Sequence, residues 1–497
     1  MPKVKGWLEL PLKARGEEQP LTDWLCRELR SAILEGRLPP SARLPSTRDF
    51  AAQYGVSRGT IVQVFERLQS EGYLCSRVGV GTVISGQVMP RRRSHPEAAA
   101  LPASIPKVRA NYQRPKAFAG LPSSSASRPF RMGDVDLKEF PSKLWARLAS
   151  RRARSPGSWA HPTYDVRGYK PLRQAIAQYL GSSRGIACAA DQITIVSGVQ
   201  QALDVLARLL LSADDQVWLE DPGYFGARIA FESAGAQIVP VPVDAEGIVV
   251  TQGIATGAAA AGAYVTPAHQ FPLGPAMSLG RRIDLLKWAA SAGAFIIEDD
   301  YDSEYRFEGR PIPALMSLDP GSNVIMVGSM SKLLFPALRI GYIVAPPALA
   351  DFVAAFRLRT DFRAIHLEQA VLTDFIDGGH FSRHVRRMRE IYRNRHAALI
   401  EAARRHLAGV LDVQNVHCGL YTAARLRNSM SSGEAERAAL AAGVETLSLD
   451  RYTLSTPDPK GLLLGFASFN ETAIREGIRR LAGALVAKSR SARKLVD

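Results

Sequence analysis

The chain has 497 residues, of which 46% are apolar and 22% charged, with a net charge of +16. That is too long for one ordinary core, so two or three domains are expected, and no run of about 18 apolar residues offers a membrane span. Four scattered cysteines, Cys26, Cys75, Cys188 and Cys418, form no CxxC pair, which argues against a zinc site or disulfide framework and fits a reducing cytoplasm. The start, Met1-Pro2-Lys3-Val4-Lys5, lacks the apolar segment of a secretory signal.

In chain order, Leu21, Trp24, Leu25, Leu29, Ile33 and Leu34 recur at helical spacing, and Gly36 ends that helix. Ser46 with Asp49 three residues on marks another helix start, an Asp standing where a capping box prefers Glu. This helix stops at Tyr54, Gly55-Val56 turns the chain, and Ser57 caps a further helix through Ser70. Two helices joined by a short glycine turn make a helix-turn-helix pattern. Ser57-Arg58-Gly59-Thr60 offers the small polar groups and arginine that a recognition helix sets in a major groove. Tyr73–Arg77 and Thr82–Ile84 flank Val78-Gly79-Val80-Gly81, which suits a two-stranded wing with a glycine tip close to a minor groove. The alternative is a small helical domain for protein contacts.

Residues 86–128 hold eight basic side chains, one acid and six prolines without any amphipathic period, so they read as a semi-extended linker. The charge attracts polyanions, nucleic acid first among them. Arg91-Arg92-Arg93 either touch DNA phosphates or stay solvated.

From Phe130 the large domain begins. The stretch Tyr164–Tyr179 contains Gly168 and the helical run Leu172, Ile176, Tyr179. Strands and helices alternate to about Val344, which predicts a mostly parallel sheet with right-handed crossovers. Four strand ends carry chemistry. The strand Ile193–Val196 leads through Gly198 into a helix start, a place that favours a phosphate, although a plain cap would look the same. The strand Gln216–Glu220 precedes Asp221-Pro222-Gly223-Tyr224, whose tyrosine either stacks on a flat ring or occupies a turn. Ala294–Ile297 ends in Glu298-Asp299-Asp300-Tyr301-Asp302: an acidic loop, or an Asp holding a pyridine nitrogen protonated with Tyr301 donating to a ring oxygen. Asn323–Val327 runs to a turn at Gly328, then to Ser329-Met330-Ser331-Lys332 and, seven residues past the lysine, Arg339. A lysine in a dry cleft can form a Schiff base with an aldehyde, while Ser329 and Arg339 grip a phosphate. Arg357–Leu407 reads as long basic helices, followed by a smaller α+β portion with a strand at Leu462–Phe466 and a helix through Ala487.

Four such motifs in this order resemble the fold-type I pyridoxal-phosphate enzymes, the aspartate aminotransferase superfamily, over roughly residues 129–488. The resemblance implies pyridoxal 5'-phosphate on Lys332, its pyridine nitrogen on Asp299, and Tyr301 near its ring oxygen. Tyr224 would lie on the ring face, and the phosphate at Gly198, Val199, Gln200, Ser329 and Arg339. Leu44-Pro45-Ser46-Thr47-Arg48, Gly55-Val56-Ser57-Arg58 and Glu71-Gly72-Tyr73 resemble the winged helix of GntR-type regulators, which implies DNA contacts by Arg43, Arg48, Ser57, Arg58, Thr60 and Gly79. Together the two resemble the MocR/GabR subfamily of GntR-type transcription regulators.

The expected fold is thus an N-terminal winged helix-turn-helix plus a C-terminal α/β fold-type I aminotransferase-like domain with a small α+β subdomain. Its parts are a DNA-binding domain at 15–86, a linker at 87–128, an effector domain at 129–488 and a basic tail at 489–497. The resemblance implies a cytoplasmic, head-to-tail homodimer that binds a DNA operator and senses an amino compound or the cofactor itself, and that is not an enzyme and holds no metal. The competing readings are a working aminotransferase with an added DNA-binding domain, and a DNA-binding protein whose large domain only dimerises. Two departures oppose turnover. Leu463 stands where many relatives place a carboxylate-binding arginine. Phe271, in Phe271-Pro272-Leu273-Gly274, replaces the asparagine that hydrogen-bonds the ring oxygen in the enzymes.

Overall fold

The computed structural model describes residues 20–77, 79–86, 128–155, 165–257, 259–309, 312–319, 321–360, 366–427, 429–455 and 460–493, with side chains to Lys488. Val78 of the wing, Arg91, Arg92, Arg93 and the rest of the linker to residue 127, Tyr164, and residues 494–497 lie outside these. The chain divides into two compact units, Met1–Val108 and Arg109–Asp497.

The first unit contains α1 (Leu21–Leu34), α2 (Thr47–Tyr54) and α3 (Arg58–Ser70), followed by a hairpin of β1 (Leu74–Arg77) and β2 (Gly81–Ile84). Ser46 caps α2 by accepting from the Asp49 amide at 3.2 Å, but the Asp49 carboxylate takes the Ser46 hydroxyl at 2.7 Å. Aspartate is one methylene shorter than the glutamate of a full capping box. Gly55 ends α2 in the left-handed region at φ 63°, which spares the turn a side-chain clash. Leu25, Leu29, Phe50, Ile61, Val64, Phe65 and Leu68 close over one core with Leu74 and Ile84. Each such burial stabilises the unit by about 1.5–3 kcal/mol.

The second unit is built on an eight-stranded sheet. Its strands are β3 (Ile193–Val196), β4 (Gln216–Asp221), β5 (Gln237–Asp244), β6 (Gly247–Ile248), β7 (Ala260–Val265), β8 (Phe295–Asp300), β9 (Val324–Ser329) and β10 (Gly341–Val344). Their order is β3-β10-β9-β8-β7-β4-β5-β6. The neighbours from β9 through β5 pair in parallel, whereas β10 runs antiparallel to both β3 and β9 and β6 antiparallel to β5. The central parallel strands carry apolar runs, such as residues 295–297 of β8 and 324–327 of β9, as strands covered on both faces do, and their acids stand at the carboxyl ends. A smaller antiparallel sheet follows, β11 (Leu411–Val413), β12 (Tyr421–Leu426), β13 (Leu447–Ser448) and β14 (Gly461–Gly465), in the order β11-β12-β14-β13.

Several boundaries differ from expectation. The chain does not turn at Gly328, because β9 continues through Ser329. A Cβ there would fall 2.2 Å from the Tyr342 ring, so the glycine is required by close approach within a strand. The last helix runs Glu471–Arg493, past Ala487 and into the expected basic tail. Among the described residues no helix is long and apolar enough to cross a membrane, and no His/Cys/Asp/Glu group could hold a metal ion.

Candidate cofactor pocket and nucleic-acid interface

The sheet's register builds the pocket. Gly341, the first residue of β10, pairs with Val196 of β3 on one side and with Ser329 of β9 on the other. Because β10 is antiparallel, the residues just before it emerge where its two neighbours end. Arg339 therefore reaches Gly198, two residues beyond β3, and its guanidinium lies 3.6 Å from where a Cβ on Gly198 would be. Arg339 takes a left-handed conformation, φ 51°, and no acid or hydrogen-bond partner meets its side chain among the described residues. Gly198, at φ 100°, opens the helix α4 (Val199–Leu210), which lacks any side-chain cap. Its first amides and dipole thus face the unpaired arginine.

Lys332 sits three residues past β9. Its Nζ donates to the Gly133 carbonyl at 3.4 Å, and its backbone N–H donates to Ser329 Oγ at 3.4 Å. Burial lowers the Lys332 pKa, against the opposing charges of Asp302, Asp134 and Asp299.

Strand alternation chooses among the three acids of β8. Glu298 accepts the amides of Leu315 and Met316 at 2.8 Å, and Asp300 pairs with Arg184 at 2.6 Å. Asp299 alone points to the pocket. Its Oδ2 accepts from Tyr264 at 2.7 Å, while Oδ1 is buried without a partner. Burial above all, with Asp300 and Asp302 adding, pushes its pKa up to about 7, against lowering by Tyr264 and Lys332.

These groups enclose a cavity of about 300 Å³. All nine residues expected at the cofactor site line it: Gly198, Val199, Gln200, Tyr224, Asp299, Tyr301, Ser329, Lys332 and Arg339. Tyr224 meets Phe271 edge to face at 5.7 Å, and burial pushes its hydroxyl up to about 12. Gln200 is turned away to the Gly226 carbonyl at 3.0 Å. The Tyr301 hydroxyl lies 2.9 Å from the His269 carbonyl and 2.8 Å from Tyr421 Oη. Sequence reasoning missed Tyr264, His269, Asp302 and Tyr421, which stand on β7, two loops and β12. Leu463 is fully buried and pairs with Ala423 and Leu447, and it is not among the lining residues. Tyr421 of its cluster, and Met132, Phe271 and Tyr301 packed against that cluster, form the wall instead.

In the first unit, Arg43, Arg48 and Arg58 are exposed and meet no acid among the described residues. By contrast Arg30 pairs with Glu71 and Arg67 with Asp23. Ser57 caps α3 by accepting from the Thr60 amide at 3.1 Å and lies 2.8 Å from the Thr60 hydroxyl, so these two hydroxyls satisfy each other. Gly79 is exposed at φ 78° in the wing turn, and the Arg43 side chain lies 3.7 Å from where a Cβ on Gly81 would be.

A fold-type I aminotransferase-like domain with a cavity at its strand ends, preceded by a winged helix, is the class this architecture defines. Residues 134–444 match the family model "Aminotransferase class I and II", and residues 21–84 match "Bacterial regulatory proteins, gntR family". The chain is 39% identical over 489 residues to the probable rhizopine catabolism regulatory protein MocR of Rhizobium meliloti, covering 95% of each chain. It is 33% identical over 405 residues to the HTH-type transcriptional regulator TauR of Rhodobacter capsulatus, covering 78% of this chain and 81% of TauR. The kynurenine aminotransferase of Pyrococcus horikoshii superposes with a TM-score of 0.69 at 27% identity, covering 75% of this chain and 96% of that one. The chain belongs to the MocR-type family of helix-turn-helix transcription regulators. Likeness to the regulators runs nearly end to end, whereas likeness to the enzyme covers three-quarters of the chain. The regulator reading therefore holds over the aminotransferase one.

Proposed function

We propose that this regulator binds pyridoxal 5'-phosphate through Lys332, and that the cofactor or a small amine meeting it sets the affinity for a DNA operator. The observation that carries the cofactor reading is the buried, unpartnered Asp299 Oδ1, in one cavity with a half-buried lysine and an unpaired arginine. An orphaned buried carboxylate oxygen is costly unless a ligand supplies its donor, and a protonated pyridine nitrogen is such a donor. Arg339, the start of α4 and Ser329 would hold the phosphate, and Tyr224 would cover the ring. Bound there, the cofactor supplies an aldehyde that captures amines.

Effector chemistry follows from the same wall. Among the lining residues the cations are Lys332 and Arg339, both committed to the cofactor. An α-carboxylate would lose its water against Met132, Phe271 and Leu420 without gaining a cation. The effector is then the cofactor itself, or an amine whose acid group is absent or held elsewhere. DNA is held by the winged helix at 15–86, with Arg58 at base edges and Arg43, Arg48 and the basic linker at 87–128 on phosphates. The protein acts in the cytoplasm as a head-to-tail homodimer. Operator affinity by fluorescence anisotropy, with and without pyridoxal 5'-phosphate, tests the proposal. A cofactor-dependent change supports it, and equal affinities contradict it.

A further inference from the structure

His269 is 1% exposed and belongs to no expected motif. Its Nδ1 lies 3.0 and 3.1 Å from the two oxygens of Asp302, itself 1% exposed, and 3.0 Å from the Tyr301 hydroxyl. A carboxylate only accepts, so Nδ1 carries a hydrogen. Nε2 is buried without a partner. The ring is clamped by backbone: a Cβ on Gly419 would fall 2.2 Å from Cε1, and one on Gly274 3.5 Å from Nε2.

We infer that His269 is a positioning residue of the cofactor site: by donating from Nδ1 to Asp302 it occupies that carboxylate and leaves the Tyr301 hydroxyl to serve the cofactor's ring oxygen. The inference rests on the cofactor reading. The Phe271 side chain offers no hydrogen bond, so on that side of the cavity the donors are the hydroxyls of Tyr301 and its neighbour Tyr421. Burial, then the Asp302 charge, hold Tyr301 well above the ordinary phenol pKa, so it stays a donor. Its proton points to the His269 carbonyl at 2.9 Å, with Tyr421 Oη at 2.8 Å from the oxygen, and would turn from that carbonyl to the ring oxygen when the cofactor binds. Without the imidazole N–H, the Asp302 carboxylate would lose its donor and stand bare near Lys332, whose leading charge partner it already is.

The test uses pyridoxal 5'-phosphate on the full chain, reading the pH midpoint of its visible absorption band and its dissociation constant. The charged groups facing the lysine nitrogen are Asp302, Asp134 and Asp299, and the neighbouring phenols are Tyr264, Tyr301 and Tyr421. H269L bares Asp302, which favours the protonated nitrogen and raises the midpoint by roughly one to two units. H269N puts an amide N–H near the Nδ1 position and returns the midpoint towards wild type. D302N lowers it, and decides the matter with H269N if H269L fails to fold. Unmoved midpoints in variants that still bind the cofactor overturn the inference, as does an H269N displaced as far as H269L. A wild-type protein without any visible band overturns the cofactor reading, and this inference with it.

Discussion

Asp299→Asn separates the cost of the empty pocket from its use. The carboxylate is 4% exposed, has one donor in Tyr264 and one stranded oxygen, and its pKa stands at about 7. In the protein without cofactor, the amide removes a buried negative charge while keeping an oxygen for Tyr264. Stability should hold or rise. With the cofactor bound, the same change leaves a protonated ring nitrogen facing a neutral group. Removing one partner of a buried pair costs about 3–5 kcal/mol, or roughly two to four orders of magnitude in affinity. Spectrophotometric titration measures the affinity, and calorimetric unfolding of the cofactor-free protein measures the stability. A variant that binds pyridoxal 5'-phosphate as tightly as wild type would refute the assignment of Asp299 to the pyridine nitrogen.

The other predictions are as follows. Arg58→Ala should cost roughly 1–3 kcal/mol on a mapped operator and relax base preference, whereas replacing Arg91, Arg92 and Arg93 should weaken binding to all sequences and flatten the salt dependence; equal operator affinity of Arg58→Ala and wild type would count against the base contact. Common α-amino acids should perturb the visible band of the bound cofactor little, and simple amines should perturb it more. Rapid conversion to the pyridoxamine form by an ordinary amino acid would contradict the carboxylate argument. Asp299 and Glu220 both sit at about 7 in the folded protein, above their ordinary range. The folded state therefore keeps protons that the unfolded chain has lost, and stability without cofactor should fall as pH rises from about 4 to about 7. Asp299→Asn should flatten that slope, and an unchanged slope would show that the group titrates normally.

The local parts of this fold were legible because local physics makes them. Ser57 caps α3, Gly55 ends α2, and the acids of β8 follow four apolar residues, all features of short windows. The nine cavity residues could be named because each sits near a strand end within one motif. What could not be read is tertiary. Sequence alternation carries no strand direction, so the reversal of β10 within a mostly parallel sheet was not legible, yet that reversal is what carries Arg339 to Gly198. Gly328 resembled a turn because a required close approach to Tyr342 and a bend look alike in sequence. Tyr264 reaches Asp299 only through the pairing of β7 with β8, and Tyr421 reaches Tyr301 from the smaller sheet. His269, on a loop between β7 and the next helix, gave no signal beyond being a histidine near Phe271. Leu463 proved buried and outside the lining, so the lack of a cation beyond Lys332 and Arg339 among the lining residues, rather than the leucine itself, shapes the expected selectivity.

Borohydride reduction of protein incubated with pyridoxal 5'-phosphate, followed by peptide mass mapping, tests the central claim most directly. The account predicts a single pyridoxyl adduct on Lys332 that disappears in a folded Lys332→Ala variant. An adduct on another lysine, or one that persists in that variant, would contradict it.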